Sequence, residues 1–328
     1  MKYRRLGKTG IQVSEIALGT WQLGGKWGTG FDETLARDTL DMAAALGINF
    51  LDTADVYKDG QSEAFVGRFA RAHAETLYVA SKCGRRLSPH TPDMYQPAAL
   101  RGFVEDSLRN SGLDCLDLIQ LHCPPSQVYY RPEIFELFDK LKEEGKIRHL
   151  GVSIEKVEEG MKAMEYPNVC TIQVIFNPFR QRPAERLFSL AQSRDVGIIV
   201  RVPLASGLLT GKFDADTRFG QGDHRFFNRE GQAFDKGETF AGIPYLTGLS
   251  AVARLKERLG EETDLAGLTL RWILGFEAVS CVIPGASGPE QVRLNASASG
   301  KPSLDEHQKE AFDATYRELV RPHVHQRW

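Results

Sequence analysis

Cysteine is scarce in this chain and carries no pattern. The five residues, Cys83, Cys115, Cys123, Cys170 and Cys281, include no Cys-x-x-Cys pair and are odd in number. That excludes a zinc ribbon and argues against a disulfide framework, leaving reduced intracellular thiols. Charge of one sign is missing as well: 41 Lys+Arg against 43 Asp+Glu give a formal net charge of −2. A polyanion-binding surface is therefore not expected, and nucleic acid is not a partner. No apolar run is long enough to cross a bilayer. Met1 leads at once into Lys2-Tyr3-Arg4-Arg5 without a signal-peptide core, so the expected location is the cytoplasm, with no membrane contact.

The familiar nucleotide motifs are also absent. Gly19 to Gly25-Lys26 has five intervening residues where a phosphate loop needs four, and Trp27 stands where Ser or Thr would hold magnesium. Gly207-Leu-Leu-Thr-Gly211-Lys212 is too short, and Gly28-Thr29-Gly30 meets Glu33 where a dinucleotide fingerprint needs its third glycine. A Walker ATPase and a Rossmann dehydrogenase both fail. His122 stands alone at a strand end and His323-x-His325 lies in a charged tail without acidic or thiol partners, so no metal is expected.

What the chain does have is alternation. Short apolar runs rich in β-branched residues recur at Glu15–Thr20, Ile48–Thr53, Leu77–Lys82, Asp117–His122, Arg148–Ser153, Thr171–Phe176, Gly197–Val202 and Ser280–Pro284. Helical spacing fills the gaps: Ile134, Leu137, Phe138 and Leu141 fall at i, i+3, i+4 and i+7 and stop at Gly145. Asp32 is placed to cap a helix toward Gly47, Pro183 to open one over Ala184–Ser193, and Thr263 to cap another through Ile273. No stretch resembles a linker. Eight strand–helix units in 328 residues predict an α/β fold, a (β/α)8 TIM barrel formed as a single domain over residues 1–328. Tyr3–Leu6 and Ile11–Ser14, flanking Gly7-Lys8-Thr9-Gly10, read as an N-terminal β-hairpin closing one end of the barrel. Phe213–Tyr245, after strand seven, is too long for an ordinary connection and is expected to contribute to a site.

In a parallel barrel the C-terminal strand ends meet on one face. Here those ends carry Asp52, with Tyr57 just beyond, then Lys82, then His122. The group suits protonation of a carbonyl oxygen. A phenol titrates near ~10 unless a cation stabilises its anion, and Lys82 is that cation; Asp52 would hold Lys82 and His122 would orient the carbonyl. Singly, each residue has an ordinary structural explanation as a cap, loop anchor or solvated strand end. Together they require four coincidences on one face.

These residues sit within a longer resemblance. Leu18-Gly19-Thr20-Trp21, Asn49–Ala54 with Tyr57 and Gly67, Ser81-Lys82, Asp117–His122, Gly151-Val152-Ser153, Gln173–Pro178, Pro203-Leu204, Gly207–Lys212 and Ile283-Pro284-Gly285 look like the ordered signature of the aldo-keto reductases, over about residues 3–300. The resemblance implies an oxidoreductase that reduces aldehydes or ketones to alcohols, or oxidises a sugar or other alcohol. Asp52, Tyr57, Lys82 and His122 match the family's catalytic tetrad, with Tyr57 as acid–base. For the nicotinamide cofactor it implies Gly19, Thr20, Trp21 and Asp52 beside the ring, and Ser153 and Gln173 on the carboxamide. It puts Val202, Pro203, Leu204, Gly207 and Lys212 around the pyrophosphate and Ser287, Gln291 and Asn295 toward the adenosine end, with Pro284 and Gly285 also among the cofactor contacts. A helix starting near Pro289 would also favour phosphate.

Three positions depart from the family pattern. Arg201 replaces an aromatic that stacks on the nicotinamide, and its charge would disfavour the oxidised cofactor. Ile154 and Cys123 replace polar and basic residues. Ser287 stands where many relatives have Arg, so positive charge for a 2′-phosphate would come from Lys212 and Arg218; NADP(H) is the expected cofactor and NAD(H) the alternative. Trp21, Trp27, Tyr57 and His122, with Phe226 and Phe227, are expected to line the pocket for a small carbonyl or alcohol substrate. The rival from another class is an NADP(H)-binding regulatory subunit resembling the potassium-channel β subunits. A homo-oligomer is left open.

Overall fold

A computed structural model describes residues 1–73 and 77–328. The chain opens with β1 (Tyr3–Arg5) and β2 (Gln12–Ser14), then alternates through β3 (Leu18–Gly19), α1 (Glu33–Ala45), β4 (Phe50–Asp52), α2 (Gln61–Ala72), β5 (Tyr78–Cys83) and α3 (Pro97–Ser111). It continues with β6 (Leu116–His122), α4 (Pro132–Glu143), β7 (Ile147–Ser153), α5 (Val157–Ala163), β8 (Val169–Ile175), α6 (Leu187–Ser193) and β9 (Gly197–Arg201). After a long segment carrying α7 (His224–Phe227) come α8 (Tyr245–Leu259), α9 (Leu265–Leu274), β10 (Val279–Val282), α10 (Pro289–Ala296), α11 (Glu306–Thr315) and α12 (Arg321–Val324).

Strands β3 to β10 run parallel in chain order. The two edges meet: Val282 N–H donates to Glu15 O at 2.9 Å, Ala17 N–H to Val282 O at 2.8 Å and Gly19 N–H to Pro284 O at 3.2 Å. The sheet is thereby closed into a (β/α)8 barrel, its two edge strands joined to each other. All eight predicted runs form its staves.

The β1–β2 hairpin plugs the end opposite the strand C-termini. Leu6, Ile11 and Val13 pack into one apolar cluster with Ala17, Phe50, Ala80, Leu118, Ile199 and Cys281, the inward residues of the lower barrel. Gly7 makes the plug fit. It sits at φ +51°, and a Cβ there would lie 2.3 Å from the Gly197 amide nitrogen at the foot of β9.

Side chains alternate along a strand, so each apolar inward residue is followed two positions later by another inward one. That arithmetic builds the site. Phe50 leads to Asp52, Ala80 to Lys82, Leu118 to Gln120 and then His122, and Ile199 to Arg201. Gly151 on β7 leaves the required space: a Cβ there would meet Thr171 Oγ1 at 2.1 Å and Gln120 Cγ at 3.1 Å. The lower interior is thus apolar and the layer above it polar and buried.

The helices follow the sequence with two adjustments. Asp32 caps α1 by accepting from the amides of Thr34 and Leu35, and Gly145 ends α4 at φ +73° as expected. The predicted helix over Ala184–Ser193 is broken: a 3₁₀ turn holds Arg182–Ala184 and α6 begins only at Leu187. The cap of α9 is Asp264, which accepts from Gly267 N–H, while Thr263 donates back to Leu259 O. An ionised carboxylate is the stronger acceptor for a helix N-terminus.

Candidate active site

Asp52, Lys82 and His122 rise from the ends of β4, β5 and β6, and Tyr57 returns over them from the turn after β4. Lys82 is 1% exposed, and the three hydrogens of its ammonium are all committed. They go to Asp52 Oδ1 at 2.5 Å, Thr53 O at 2.8 Å and Tyr57 Oη at 3.2 Å. Because Lys82 donates to the phenol oxygen, the Tyr57 hydroxyl hydrogen is left for another acceptor. Asp52 is itself fixed on its far side: Oδ2 accepts from Gln120 Nε2 at 3.1 Å and Gln173 Nε2 at 2.8 Å.

Burial and charge set the protonation states. Burial alone would lower the Lys82 pKa, but Asp52 and Tyr57 overcome it and hold the ammonium above its usual value. Burial pushes Tyr57 up; Lys82 pulls against that shift without cancelling it. His122 is held well below the usual imidazole range by burial and then by the charges of Lys82, Arg85 and Arg201, so it stays neutral. The group contains one fixed cation, one neutral imidazole and one phenol with a free proton.

Above these residues opens a cavity of about 560 Å³. Gly19, Thr20, Trp21, Asp52, Tyr57, His122, Gln173 and Arg201 line its floor, with Trp27 and His224 at one end. It runs past Val202, Pro203, Leu204, Gly207 and Lys212 to Pro284, Gly285, Ser287, Gln291 and Asn295. Residues from widely separated parts of the sequence therefore share one groove. The segment after β9 arches over it: Gly222 packs on Gly28, and the His224 ring lies 4.2 Å from Trp27 and 4.9 Å from Trp21.

Several expected contacts lie elsewhere. Arg218 is turned outward, its side chain 78% exposed, donating to Ala215 O and facing Asp216. Phe226 and Phe227 are exposed; Phe213 and His224 line the cavity instead. Ser153 is buried against Cys123 Sγ at 3.4 Å and is not part of the lining. The sequence reading also missed two residues. Gln120, which orients Asp52, was detectable as the inward residue two before His122. Glu238, which enters the cavity from the long segment, gave no local signal.

Glu238 belongs to a buried charged group that changes the reading of Arg201. The Arg201 guanidinium contacts Glu155 Oε2 at 3.1 Å, Ile154 O at 3.1 Å, Glu238 Oε2 at 3.5 Å and Cys123 Sγ at 3.5 Å. Its charge is balanced inside the protein, so a bound cation is not facing a bare guanidinium. Cys123, Glu155 and Glu238 bring potential metal-ligand atoms within 4.8 Å of one another, but the guanidinium contacts all three.

A family model described as the aldo/keto reductase family matches residues 15–317. The chain belongs to the aldo/keto reductase family. It is 30% identical over 318 residues to an NADH-specific methylglyoxal reductase from Escherichia coli, covering 91% of this chain and 93% of that protein. A putative voltage-gated potassium channel subunit beta from Schizosaccharomyces pombe is 30% identical over 311 residues, covering 90% and 87%. Among solved structures, the holo form of aldo-keto reductase AKR11C1 from Bacillus halodurans aligns with TM-score 0.77 at 30% identity, covering 96% of each chain.

Aldo-keto reductases are oxidoreductases that use a nicotinamide cofactor, and the long cavity fits one. Its length joins the Tyr57 floor to the N-terminus of α10, where the Pro289–Gln291 turn offers a favourable dipole to an anion. Midway, Val202, Ala205, Ser206 and Gly207 all adopt positive φ, between 48° and 99°. Backbone held in this costly region is characteristic of ligand-binding turns. Lys212 supplies a cation beside it. At Ser287 no arginine faces the lining among the described residues; Ser287 Oγ and N–H both donate to Gln291 Oε1.

Proposed function

We propose that residues 1–328 act as one unit, an NAD(P)(H)-dependent carbonyl reductase that converts aldehydes or ketones to alcohols and runs in reverse on a sugar or other alcohol. The observation that carries this reading is the Lys82–Tyr57 contact at 3.2 Å at the floor of the cavity, with Lys82 saturated by Asp52 and Thr53. When bound, the cofactor supplies or accepts hydride. Gly19, Thr20, Trp21, Gln173 and Arg201 would hold its nicotinamide end, with Ser153 supporting that wall from behind. Val202, Pro203, Leu204, Gly207 and Lys212 would hold the phosphates, and Pro284, Gly285, Ser287, Gln291 and Asn295 the adenosine.

The protein's own work is proton transfer and orientation. A carbonyl oxygen placed between Tyr57 and His122 receives the Tyr57 proton as negative charge develops on it. Lys82, fully protonated, stabilises the phenolate left behind, and Asp52 keeps the ammonium from moving. His122 is neutral and donates a hydrogen bond without competing as the acid. Trp21 and Trp27 exclude water from the substrate side. NADP(H) is the preferred cofactor in this reading, through Lys212, Ser287 and Gln291. Since Arg218 points away, the preference rests on neutral hydrogen bonds and one lysine, and should be modest, within roughly tenfold or ~1.4 kcal/mol.

The test is carbonyl-dependent oxidation of NADPH and NADH by the purified protein and its Tyr57→Phe variant. The expected outcome is turnover by the wild type and a kcat loss of roughly 10²–10⁴-fold in the variant, with nucleotide affinity nearly unchanged. Wild-type kcat in Tyr57→Phe would show that another group is the acid. The likeness to a potassium-channel β subunit favours a second reading, an NADP(H)-binding regulatory subunit. Tight nucleotide binding with no turnover of any carbonyl would select it.

A further inference from the structure

The substrate end of the cavity is rich in charge, yet nearly all of it is already used. Arg225 is closed by Asp223, with Nε and Nη2 both bonded to the carboxylate at 2.6–3.1 Å. His224 is driven down to about 4 by burial and is neutral. Arg201 lies between Glu155 and Glu238, and Arg85 faces the second oxygen of Glu238 at 3.5 Å. Burial and Glu238 push the Glu155 carboxyl up, and the Arg201 guanidinium 3.1 Å away pulls it back down. Burial opposes the charge on Glu238 as well, but Arg201 and Arg85 hold its pKa below the ordinary value. Glu238, on the segment arching over the mouth, therefore stands between two guanidiniums, 3.5 Å from each, while Glu155 faces Arg201 from the barrel side at 3.1 Å. Lys26 also lines this end, exposed at the rim where solvent screens it.

We infer that Glu238 is a specificity-determining residue, which tunes the pocket to neutral carbonyl substrates by keeping the lining guanidinium of Arg201 from pairing with a substrate carboxylate. An incoming carboxylate meets a guanidinium already held by Glu155, Glu238 and the Ile154 carbonyl, with buried carboxylates beside it. It must be desolvated without gaining a new ion pair, a cost that a neutral substrate of the same shape does not meet. The choice of a glutamate borne by the arching segment, outside the barrel wall, makes this selectivity separable from the Tyr57–Lys82–Asp52 group.

The inference rests on the reductase reading for its substrate, so its test has an arm that needs no turnover. 4-Carboxybenzaldehyde and 4-carbamoylbenzaldehyde have nearly the same shape and differ in charge. The wild type should favour the amide in kcat/KM by about tenfold or more. Glu238→Gln should shift that ratio toward the acid by at least about tenfold, ~1.4 kcal/mol. Glu238→Gln combined with Arg201→Met should give the shift back, which a mere loosening of the segment would not do. Quenching of tryptophan fluorescence by benzoate and benzamide gives the same ratio for binding alone. A binding ratio that moves in Glu238→Gln while no carbonyl is turned over would keep the inference and remove the reductase reading. Turnover in which neither ratio moves, or a wild type that takes acid and amide equally, would overturn the inference and leave the reductase reading standing. The wild-type comparison stands even if the variant does not fold.

Discussion

Behind the Tyr57 floor lies an acid that the proposed chemistry does not use. Asp55 is 7% exposed and neither carboxylate oxygen has a side-chain hydrogen-bond partner among the described residues, with only the Val56 backbone N–H beside it. Burial, then the neighbouring Glu63, raise its pKa to about 7, with Arg86 and Lys82 pulling the other way. The folded protein thus binds this proton more tightly than the unfolded chain, whose Asp titrates near ~3.9. Its contribution to stability is full below that value and is lost as the pH rises toward 7. Asp55→Asn keeps the shape and removes the charge. It should raise the unfolding free energy by roughly 1–3 kcal/mol at pH 8 and by little at pH 4, as read from denaturant curves at both values. A variant less stable than the wild type at pH 8 would mean that the ionised Asp55 has a stabilising partner, most simply Arg86.

At the scale of elements, the hairpin plug decides whether the barrel floor closes. Gly7 combines a left-handed backbone with direct contact against Asp195, Val196 and Gly197. Gly7→Ala adds backbone strain of ~1 kcal/mol and forces the plug away from the foot of β9. A loss of roughly 2–4 kcal/mol is expected in urea unfolding, with kcat/KM at fixed temperature changed much less, because the site is at the other end of the strands. What was legible in the sequence follows the same division. The eight staves were readable because parallel strands are buried on both faces and so appear as continuous β-branched runs. Asp32 and Gly145 were readable because caps act on their own helix. The break before α6 was not, since an Arg-Pro-Ala turn and a first helical turn have the same composition. Gln120 was masked by treating strand ends as endpoints, when the period of two extends the inward face one residue deeper. Glu238 and the misplaced Arg218 share a cause: in a segment of more than thirty residues, which charge enters the groove depends on contacts with Arg201, Arg85 and Ser206, and none of these is near in sequence.

For the molecule as a whole, the groove draws on both ends of the barrel circuit. Gly19 and Trp21 come from the first stave, Gly285 and Gln291 from beyond the last, and the arching segment joins Gly222 to Gly28 above them. A dinucleotide lying in the groove would tie together the two edges that close the sheet, so it should act as a clamp on the global unfolding transition. Ligand linkage gives the size: at about 100-fold above Kd the folded state gains ~2.7 kcal/mol, irrespective of which contacts provide the affinity. At equal concentrations NADPH should therefore raise the midpoint of thermal unfolding by several degrees, and NADH by slightly less if the preference is within tenfold. Protection of the 213–245 segment from limited proteolysis should rise in parallel, since Arg201 connects the cavity floor to Glu238 in that segment. Equal shifts for the two nucleotides would assign no discriminating role to Ser287 and Gln291. A larger shift with NADH would reverse the expected preference and show that Lys212, Ser287 and Gln291 do not favour a 2′-phosphate in this groove.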